Sequence, residues 1–293
     1  EILKRTGWQN LGLVPYFFEL AKLPQEDSLG LEKSYEGRGK EEVESCFSAS
    51  SLTTRPSSLK ITVLHTPHIA NFDDIDPLAN DPNIKLSWCR AGEVISADAD
   101  IVILAGSKST IADLEFIKAQ GWHIDLQSHR RRGGRIIGIC GGYQMLGQTV
   151  HDPEGLEGPA GSVKGLGLLN IETALLPNKT LTRITATHVA SGQKIEGYEI
   201  HLGASHGPDC VRPFARIGSA DDGATSTDGL VSGTYIHGCF ASDGFRSTYL
   251  KSLGASSSDL AFESLIEKTL DKLATHLEQH LDLDLMLELA GEI

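Results

Sequence analysis

Cys140 lies in the segment IIGICGGYQMLG, residues 136–147, where residue types and spacing suit a nucleophile. A short apolar run leads directly into Cys140, two glycines follow, and helix-forming residues come next. A thiol at such a strand-to-helix turn sits in a strained backbone conformation that small neighbours permit. The start of the following helix favours the thiolate, and the N–H of Gly141 could donate to a developing oxyanion. A core cysteine before a glycine turn is the alternative, and the strand–Cys–Gly–Gly–helix order favours the reactive one.

His237, in GTYIHGCF (233–240), is the best candidate for the base that a thiol nucleophile needs. It follows an apolar strand pattern and precedes a glycine. That places it at a strand end, where the imidazoles of Cys–His pairs often lie. The chain contains 11 histidines, so His237 is favoured only in combination with Cys140.

The segment ILAGSKSTIADL, residues 103–114, joins an apolar strand to a capped helix. The backbone amides of Gly106 and Ser107 at this turn predict an anion-binding nest. It would serve either as a phosphate cradle or as the second half of an oxyanion hole. The Walker A spacing G-x-x-x-x-G-K-[ST] occurs nowhere in the sequence, so the chain carries no nucleotide-binding motif of that type.

Acidic residues cluster in NFDDIDPL, residues 71–78. The carboxylates of Asp73, Asp74 and Asp76 would suit a hard cation, but their spacing fits no complete loop motif. Pairs of histidines elsewhere in the sequence lack a convincing third ligand. We therefore predict no metal site, and we interpret the acidic segment as a turn or as a loop against a further domain.

Strand-like and helix-like segments alternate from residue 60 onward. Near-continuous apolar runs at 60–65, 99–105 and 133–140 predict buried strands. Residues 109–120 have apolar positions at helical spacing after a Ser/Thr cap. The pattern predicts an α/β fold with a largely parallel central sheet flanked by helices. Ligands bind outside the carboxyl ends of strands in such sheets, which is where Cys140 is expected.

Composition divides the chain into four parts. Residues 33–59 are charged and then rich in Ser and Thr, which predicts a linker between residues 1–32 and a domain at 60–250. Residues 255–293 predict an acidic amphipathic helical tail, because leucines recur at three and four residues. A solvated helix packed on the protein is the favoured interpretation, and a docking helix for a basic partner is the alternative.

Charge and cysteine content exclude several classes of protein. The chain has 26 Lys+Arg against 39 Asp+Glu and a net charge of −13, which disfavours nucleic acid and anionic membranes as partners. No apolar run approaches the ~18–20 residues of a membrane helix. Five cysteines without a CxxC pair, and the absence of a signal-peptide pattern, predict a cytoplasmic protein.

The run CGGYQMLG (140–147) resembles the C-x-G-x-Q elbow of triad-type glutamine amidotransferases. More narrowly, six segments resemble the cobyric acid synthase family in that family's order: 11–32, 66–78, 104–114, 138–158, 197–203 and 233–240. Because the resemblance extends from residue 11 to about residue 250, it is specific. It implies a flavodoxin-like amidotransferase domain that hydrolyses glutamine to glutamate and ammonia through a glutamyl thioester.

The resemblance implies a role for each matching residue. Cys140 matches the nucleophile, and His237 matches the base that deprotonates it and later protonates the leaving ammonia. The other expected site residues are Gly106 and Gly141, as oxyanion-hole amides, and Gln144 and Ser107, as substrate-binding residues.

The group that orients His237 stays open. Triad amidotransferases have an H-x-E motif whose glutamate orients the histidine, and Cys239 stands at that position here. The cobyric acid synthase family is similar in lacking this glutamate. Glu199 and His201, in GYEIHLG (197–203), are the candidates for the role.

Members of the cobyric acid synthase family are bipartite. An N-terminal ATP-dependent amidoligase domain, similar to dethiobiotin synthetase, precedes the amidotransferase domain. Residues 1–32 resemble the C-terminal remnant of that ligase domain, so the chain resembles the C-terminal part of a family member. The resemblance implies no cofactor for this chain, and ATP and Mg for the ligase domain only.

The implied partners are glutamine and, through the ligase domain, a corrinoid. The family reaction amidates adenosylcobyrinic acid a,c-diamide to cobyric acid in cobalamin biosynthesis. Two alternatives remain: the amidotransferase component of a related ligase, acting on cell-wall lipid precursors or as an a,c-diamide synthase, and a degenerate module that binds without hydrolysis.

Overall fold

The structure is a computed structural model that describes residues 2–23, 58–256 and 258–291. The predicted linker at 33–59 lies outside the described residues except for its last two positions, and residues 24–32 also lie outside them. Two compact units are present: Glu1–Pro24 with Ala261–Ile293, and Gln25–Leu260. The predicted four-part division of the chain stays a prediction.

Strands and helices are numbered in chain order. The strands are β1 Leu59–Leu64, β2 Ile69–Ala70, β3 Ile84–Cys89, β4 Ile101–Leu104, β5 Gly106–Ser107, β6 Arg135–Ile139, β7 Thr149–Asp152, β8 Gly161–Lys164, β9 Glu172–His188, β10 Lys194–His206, β11 Ala215–Ile217, β12 Ala220–Asp222, β13 Ala224–Thr225, β14 Val231–Thr234 and β15 Ile236–His237. The α-helices are α1 Ile2–Thr6, α2 Asp76–Ala79, α3 Thr110–Ala119, α4 Trp122–Arg131, α5 Gly141–Met145, α6 Asp243–Ser252, α7 Phe262–His280 and α8 Leu283–Ala290. The 3₁₀ helices are Phe18–Lys22, Phe72–Ile75, Pro208–Val211 and Cys239–Ala241.

The first sheet of the larger unit has six strands in the order β13-β14-β6-β4-β1-β3. All neighbours from β14 to β3 are parallel, and only the edge strand β13 is antiparallel. Ile61, Val63 and Ile103 on the inner strands are completely buried, as expected for a parallel sheet covered on both faces. The predicted α/β fold with a largely parallel central sheet is confirmed.

Helices α3 and α4 bury one face against this sheet. In α3 the side chains of Leu114 and Ile117 are fully buried, and in α4 those of Trp122 and Leu126 are. These residues join one core cluster with Val102 and other side chains of the sheet. Helix α3 begins at Thr110, three residues after β5 ends, so its packing places β5 next to the sheet.

The second sheet is largely antiparallel. Its path is β12-β11-β9-β10-β15, with β7 and β8 attached at the β9 side. The long hairpin of β9 and β10 runs from the Thr187–Lys194 pair to the Glu172–His206 pair. Only Tyr235 separates β14 of the first sheet from β15 of the second. The chain therefore crosses between the sheets just before His237.

The smaller unit contains helices α7 and α8. In helix α7, His276 Nε2 donates a 2.9 Å hydrogen bond to the Pro15 oxygen, and Leu281, directly after the helix, forms an isolated bridge with Gly12. Lys272 also bridges to Glu19 at 2.9 Å. Among the described helices of the whole chain, none combines the length and apolar character of a membrane span.

Candidate active site

Cys140 sits at the turn between β6 and α5 with φ 52° and ψ −111°. This conformation is costly for a residue with a side chain and is typical of strained functional positions. The Cys140 N–H donates to the Thr234 oxygen at 2.8 Å, and its carbonyl accepts from the Gln144 N–H at 3.0 Å. The thiol is 8% exposed and donates to the Ile200 oxygen at 3.4 Å. The backbone around Cys140 is thus held from both sides.

Two glycines let the elbow approach its neighbours closely. A Cβ on Gly142 would lie 2.0 Å from the Leu104 oxygen, and one on Gly138 would lie 2.6 Å from the Tyr143 nitrogen. Real Cβ atoms do not reach such distances, so a side chain at either position would displace the turn. The glycine pattern around Cys140 is therefore a steric requirement of the elbow.

His237 is completely buried on β15 and is hydrogen-bonded to Asp74. Its Nδ1 atom lies 2.7 Å from Asp74 Oδ2, while the Gly238 N–H donates to Asp74 Oδ1. The ring stacks on Tyr198 with centroids 5.2 Å apart. The other ring nitrogen, Nε2, makes no well-formed hydrogen bond within the described part of the chain, and Cys140 is its electrostatic neighbour. The imidazole is fixed at one nitrogen and available at the other.

The charge of His237 follows from three opposing effects. Burial is the largest and lowers its pKa, but the Asp74 carboxylate and Cys140 together outweigh burial and raise the pKa to about 10. The raised pKa favours the imidazolium form of His237. A positive charge beside Cys140 is the environment in which thiols react as thiolates.

Asp74 corrects the sequence-based candidates for the group that orients His237. Glu199 and His201 lie 3.7 Å from each other, and His201 Nδ1 bonds to the Gly203 oxygen. The prediction that one of them orients His237 is wrong, because Asp74 occupies Nδ1. The contact between Asp74 and His237 also gives the acidic segment at residues 71–78 a role in the candidate site, which its interpretation as a turn did not include.

Local structure brings Asp74 to His237. Asp74 lies in the 3₁₀ helix Phe72–Ile75, directly after Asn71, which has φ 51°. The Asn71 amide donates to the Tyr198 hydroxyl at 3.0 Å, and Tyr198 in turn stacks on His237. The one sequence signal that could have found Asp74 is an acidic residue in a turn close behind the first strands of a parallel sheet.

The segment Gly106–Ser107 forms a two-residue strand beside the elbow. Gly106 is opposite Ala70 in the antiparallel pairing of β5 with β2. The Lys108 N–H donates to the His68 oxygen at 2.8 Å. Because hydrogen-bonded and non-hydrogen-bonded pairs alternate, the Gly106 N–H faces Ala70, and the Ser107 N–H points away from β2.

Both glycines expected at the oxyanion hole lie at the site. A Cβ on Gly106 would lie 3.1 Å from His237 Cε1, and one on Gly141 would lie 3.0 Å from the Ser107 nitrogen. The structure thus brings Cys140, His237, Gly106, Ser107 and Gly141 together. The Ser107 N–H lies beside Gly141 and takes no part in the β2–β5 pairing, whereas the Gly106 N–H faces Ala70.

Gln144 is part of the same region but its side chain is occupied. The residue is 2% exposed, its Oε1 accepts from Thr110 Oγ1 at 3.1 Å, and its Nε2 donates to the Leu202 oxygen at 2.9 Å and to the Tyr235 hydroxyl at 3.3 Å. Both amide hydrogens are used inside the protein. Direct contact of this side chain with a substrate would require it to leave these partners.

A cysteine at a strand-to-helix elbow, beside a buried His–Asp pair, defines a protein of the Cys–His–Asp class. The sequence profile described as "CobB/CobQ-like glutamine amidotransferase domain" matches residues 60–245. The chain belongs to this family of glutamine amidotransferase domains.

Individual relatives agree with the family. A cobyric acid synthase of Cereibacter sphaeroides is 51% identical over 286 residues, which are 98% of this chain and 56% of that protein. One of Paracoccus denitrificans is 51% identical over 289 residues, covering 99% of this chain and 56% of the relative. The chain spans about half the length of the curated relatives it matches.

Solved structures with similar folds include PurLQS from Thermotoga maritima and a protein described as a glutamine amidotransferase. The first has 16% identity and a TM-score of 0.48, covering 74% of this chain and 99% of that one. The second has 15% identity and a TM-score of 0.46, covering 66% and 98%. The assignment of the fold rests on the sheet order described above.

Proposed function

We propose that this chain hydrolyses glutamine to glutamate and ammonia, with Cys140 as the nucleophile. The observation that carries the proposal is the elbow conformation of Cys140 next to His237, whose other nitrogen is held by Asp74. This is the arrangement of nucleophile, base and orienting carboxylate that acyl transfer from an amide requires.

The reaction divides into two steps. Cys140 gives its thiol proton to His237, and its sulfur attacks the side-chain amide carbon of glutamine. The tetrahedral intermediate collapses to a glutamyl thioester as the His237 imidazolium gives its proton to the leaving ammonia. A water molecule then attacks the thioester while His237 accepts its proton, and the thiol and glutamate are released. Asp74 holds Nδ1 and so keeps Nε2 of the ring turned toward Cys140.

The developing oxyanion would be bound by backbone amides. The candidates are the N–H groups of Gly141 and Ser107, two residues in close approach, and neither N–H depends on a flexible side chain. Gly106 has a different part in this proposal: it leaves room for the His237 ring, which a larger residue would push away. Gln144 supports the site from behind by joining α3, β10 and Tyr235.

The names of the relatives allow the proposal to be extended from glutamine hydrolysis to the use of the ammonia. They are named cobyric acid synthases and are nearly twice as long as the segment they share with this chain. We infer that the ammonia serves an ATP-dependent ligase domain outside this chain, which amidates adenosylcobyrinic acid a,c-diamide to cobyric acid in cobalamin biosynthesis. ATP and Mg would act there, the corrinoid would bind there, and the reaction would take place in the cytoplasm. We propose no cofactor, nucleic acid or membrane as a partner of this chain itself.

Glutamate release by the chain, with and without an added ligase domain, tests the proposal. We expect Cys140→Ala to lower kcat by about 10⁶-fold, as when a covalent nucleophile is removed. The half-buried Cys210 supplies the matched control, and Cys210→Ala should retain glutamate release. Equal activity of Cys140→Ala and the unmodified chain would overturn the assignment.

Labelling with a glutamine-analogue alkylator separates the proposal from its main rival. A module that has lost catalysis would leave Cys140 unlabelled in peptide mass spectra. Specific labelling of Cys140 that glutamine suppresses would support hydrolysis, even where the rate is low without the ligase domain.

A further inference from the structure

Asp113 is a buried carboxylate one turn into α3, and four groups donate hydrogen bonds to it. Its side chain is completely buried. Oδ2 accepts from Thr66 Oγ1 at 2.8 Å and from Ser107 Oγ at 2.7 Å. Oδ1 accepts from the His68 N–H at 3.1 Å and lies 2.9 Å from His68 Nδ1. A carboxylate that receives this many donors holds each of them strongly, because hydrogen bonds to an ionised acceptor are about twice as strong as neutral ones.

The donors come from the two segments that build the proposed active site. Thr66 and His68 belong to the turn between β1 and β2, and Asp74 follows β2 by a few residues. Ser107 belongs to β5, whose backbone lies beside Gly141. Asp113 therefore connects the segment that carries the partner of His237 with the segment that borders the oxyanion position.

Ser107 is the closest of these contacts to the chemistry. Its hydroxyl donates to Asp113 and also accepts from the Ser109 N–H at 3.0 Å. These two hydrogen bonds hold the Ser107 side chain, and with it the Cα atom next to the Ser107 N–H. The β2–β5 pairing directs the Ser107 N–H away from β2, and Asp113 holds the same residue in place through Ser107 Oγ.

We infer that Asp113 is a positioning residue for glutamine hydrolysis, which holds the Ser107 amide in the oxyanion hole. The inference rests on the function proposed above. Asp113 does not touch the substrate in this account. It acts through Ser107, and the His68 and Thr66 contacts fix Asp113 itself against the rest of the site.

Steady-state kinetics of Asp113→Asn test the inference. A misplacement of about 1 Å at a catalytic group costs roughly 100-fold in rate, so we expect kcat to fall about 100-fold. The KM for glutamine should change little, because the oxyanion forms only after binding. Alkylation of Cys140 by iodoacetamide, which forms no oxyanion, should keep its rate.

A matched control separates positioning from loss of stability. Asp152 is also buried, and within the described ranges its carboxylate accepts two hydrogen bonds, from the N–H groups of Leu156 at 2.7 Å and Glu157 at 2.9 Å. Asp152→Asn should lower the melting temperature as Asp113→Asn does, but keep kcat. Equal losses of kcat in the two variants would show that Asp113 is merely structural and would overturn the inference.

A double-mutant cycle with Ser107→Ala tests the route through Ser107. If Asp113 acts through this hydroxyl, the double variant should lose no more kcat than the more severely impaired of the two single variants. Losses that multiply would overturn the route. Hydrogen exchange of the peptide around residues 105–109 gives a readout without catalysis: it should accelerate in Asp113→Asn and not in Asp152→Asn. Unchanged exchange would reject the inference, whereas a failure of the unmodified chain to hydrolyse glutamine would reject only the proposed function.

Discussion

Cys140 and Asn71 are the non-glycine residues with positive φ in the described part of the chain, at 52° and 51°. Both lie at the candidate active site, and each directly precedes a short helix. Asn71 precedes the 3₁₀ helix that contains Asp74, and Cys140 precedes α5. Cys140 is itself the proposed nucleophile, whereas Asn71 turns the chain so that Asp74 reaches His237. A positive φ thus places the proposed nucleophile in one segment and Asp74, the partner of His237, in the other.

The segments around Cys140 and Asp74 differ in how much of their role can be read from neighbouring residues in the sequence. Around Cys140, every requirement appears within a few residues: a buried strand, the nucleophile and the glycines that permit the turn. Around Asp74, the functional requirement is a contact with a residue 163 positions away. A turn that is built for a distant contact resembles any other turn in the sequence.

Asp74→Asn should have the largest effect on catalysis among variants that keep the nucleophile. The amide can no longer stabilise the imidazolium or hold the correct tautomer, and the same change in a Ser–His–Asp triad lowers kcat about 10⁴-fold. We expect a loss of that order in glutamate release. Cys140→Ala provides the reference for a complete loss of glutamate release.

Glu199→Gln is the matched control, because Glu199 was the competing candidate for the role. Its carboxylate contacts His201 rather than His237. Its kcat should stay within about threefold of the unmodified chain, an effect no larger than that expected for a neighbouring charge. A larger loss in Glu199→Gln than in Asp74→Asn would reverse the assignment drawn from the structure.

The sequence was sufficient for the parallel sheet and for the residues at its strand ends. Apolar runs and helical spacing determine which segments are buried, and Cys140, Gly141 and His237 are adjacent to such runs. It was insufficient for Asp74 and for the occupied side chain of Gln144. Those depend on how β2, β10 and β15 meet, which involves long-range strand pairing that no local pattern encodes.

The pH dependence of stability provides a second test of the His237–Asp74 pair. The pKa of His237 is raised from 6.5 to about 10 in the folded state. A raised pKa means that the folded state binds the proton more tightly. The stabilisation is therefore complete below pH 6.5 and is lost as the pH rises through about 10.

Urea unfolding of the unmodified chain and of Asp74→Asn, from pH 6 to pH 10.5, measures this effect. The free energy of unfolding of the unmodified chain should exceed that of the variant most at the acid end of the range and least at the alkaline end. A difference that is constant across the range would show that Asp74 does not control the proton on His237.

The smallest expected effects concern the two residues with positive φ themselves. Cys140→Gly should raise the free energy of unfolding by about 1 kcal/mol, because glycine adopts a positive φ without the cost of a side chain. Asn71→Gly should instead lower it by about 0.5–1 kcal/mol. Asparagine already tolerates the left-handed conformation, and the variant loses the 3.0 Å hydrogen bond to Tyr198. Denaturant titrations of both variants measure the two signs. If the free energy of unfolding rises in Cys140→Gly and falls in Asn71→Gly, backbone strain is stored at Cys140 and not at Asn71. Changes of the same sign in the two variants would contradict that distinction.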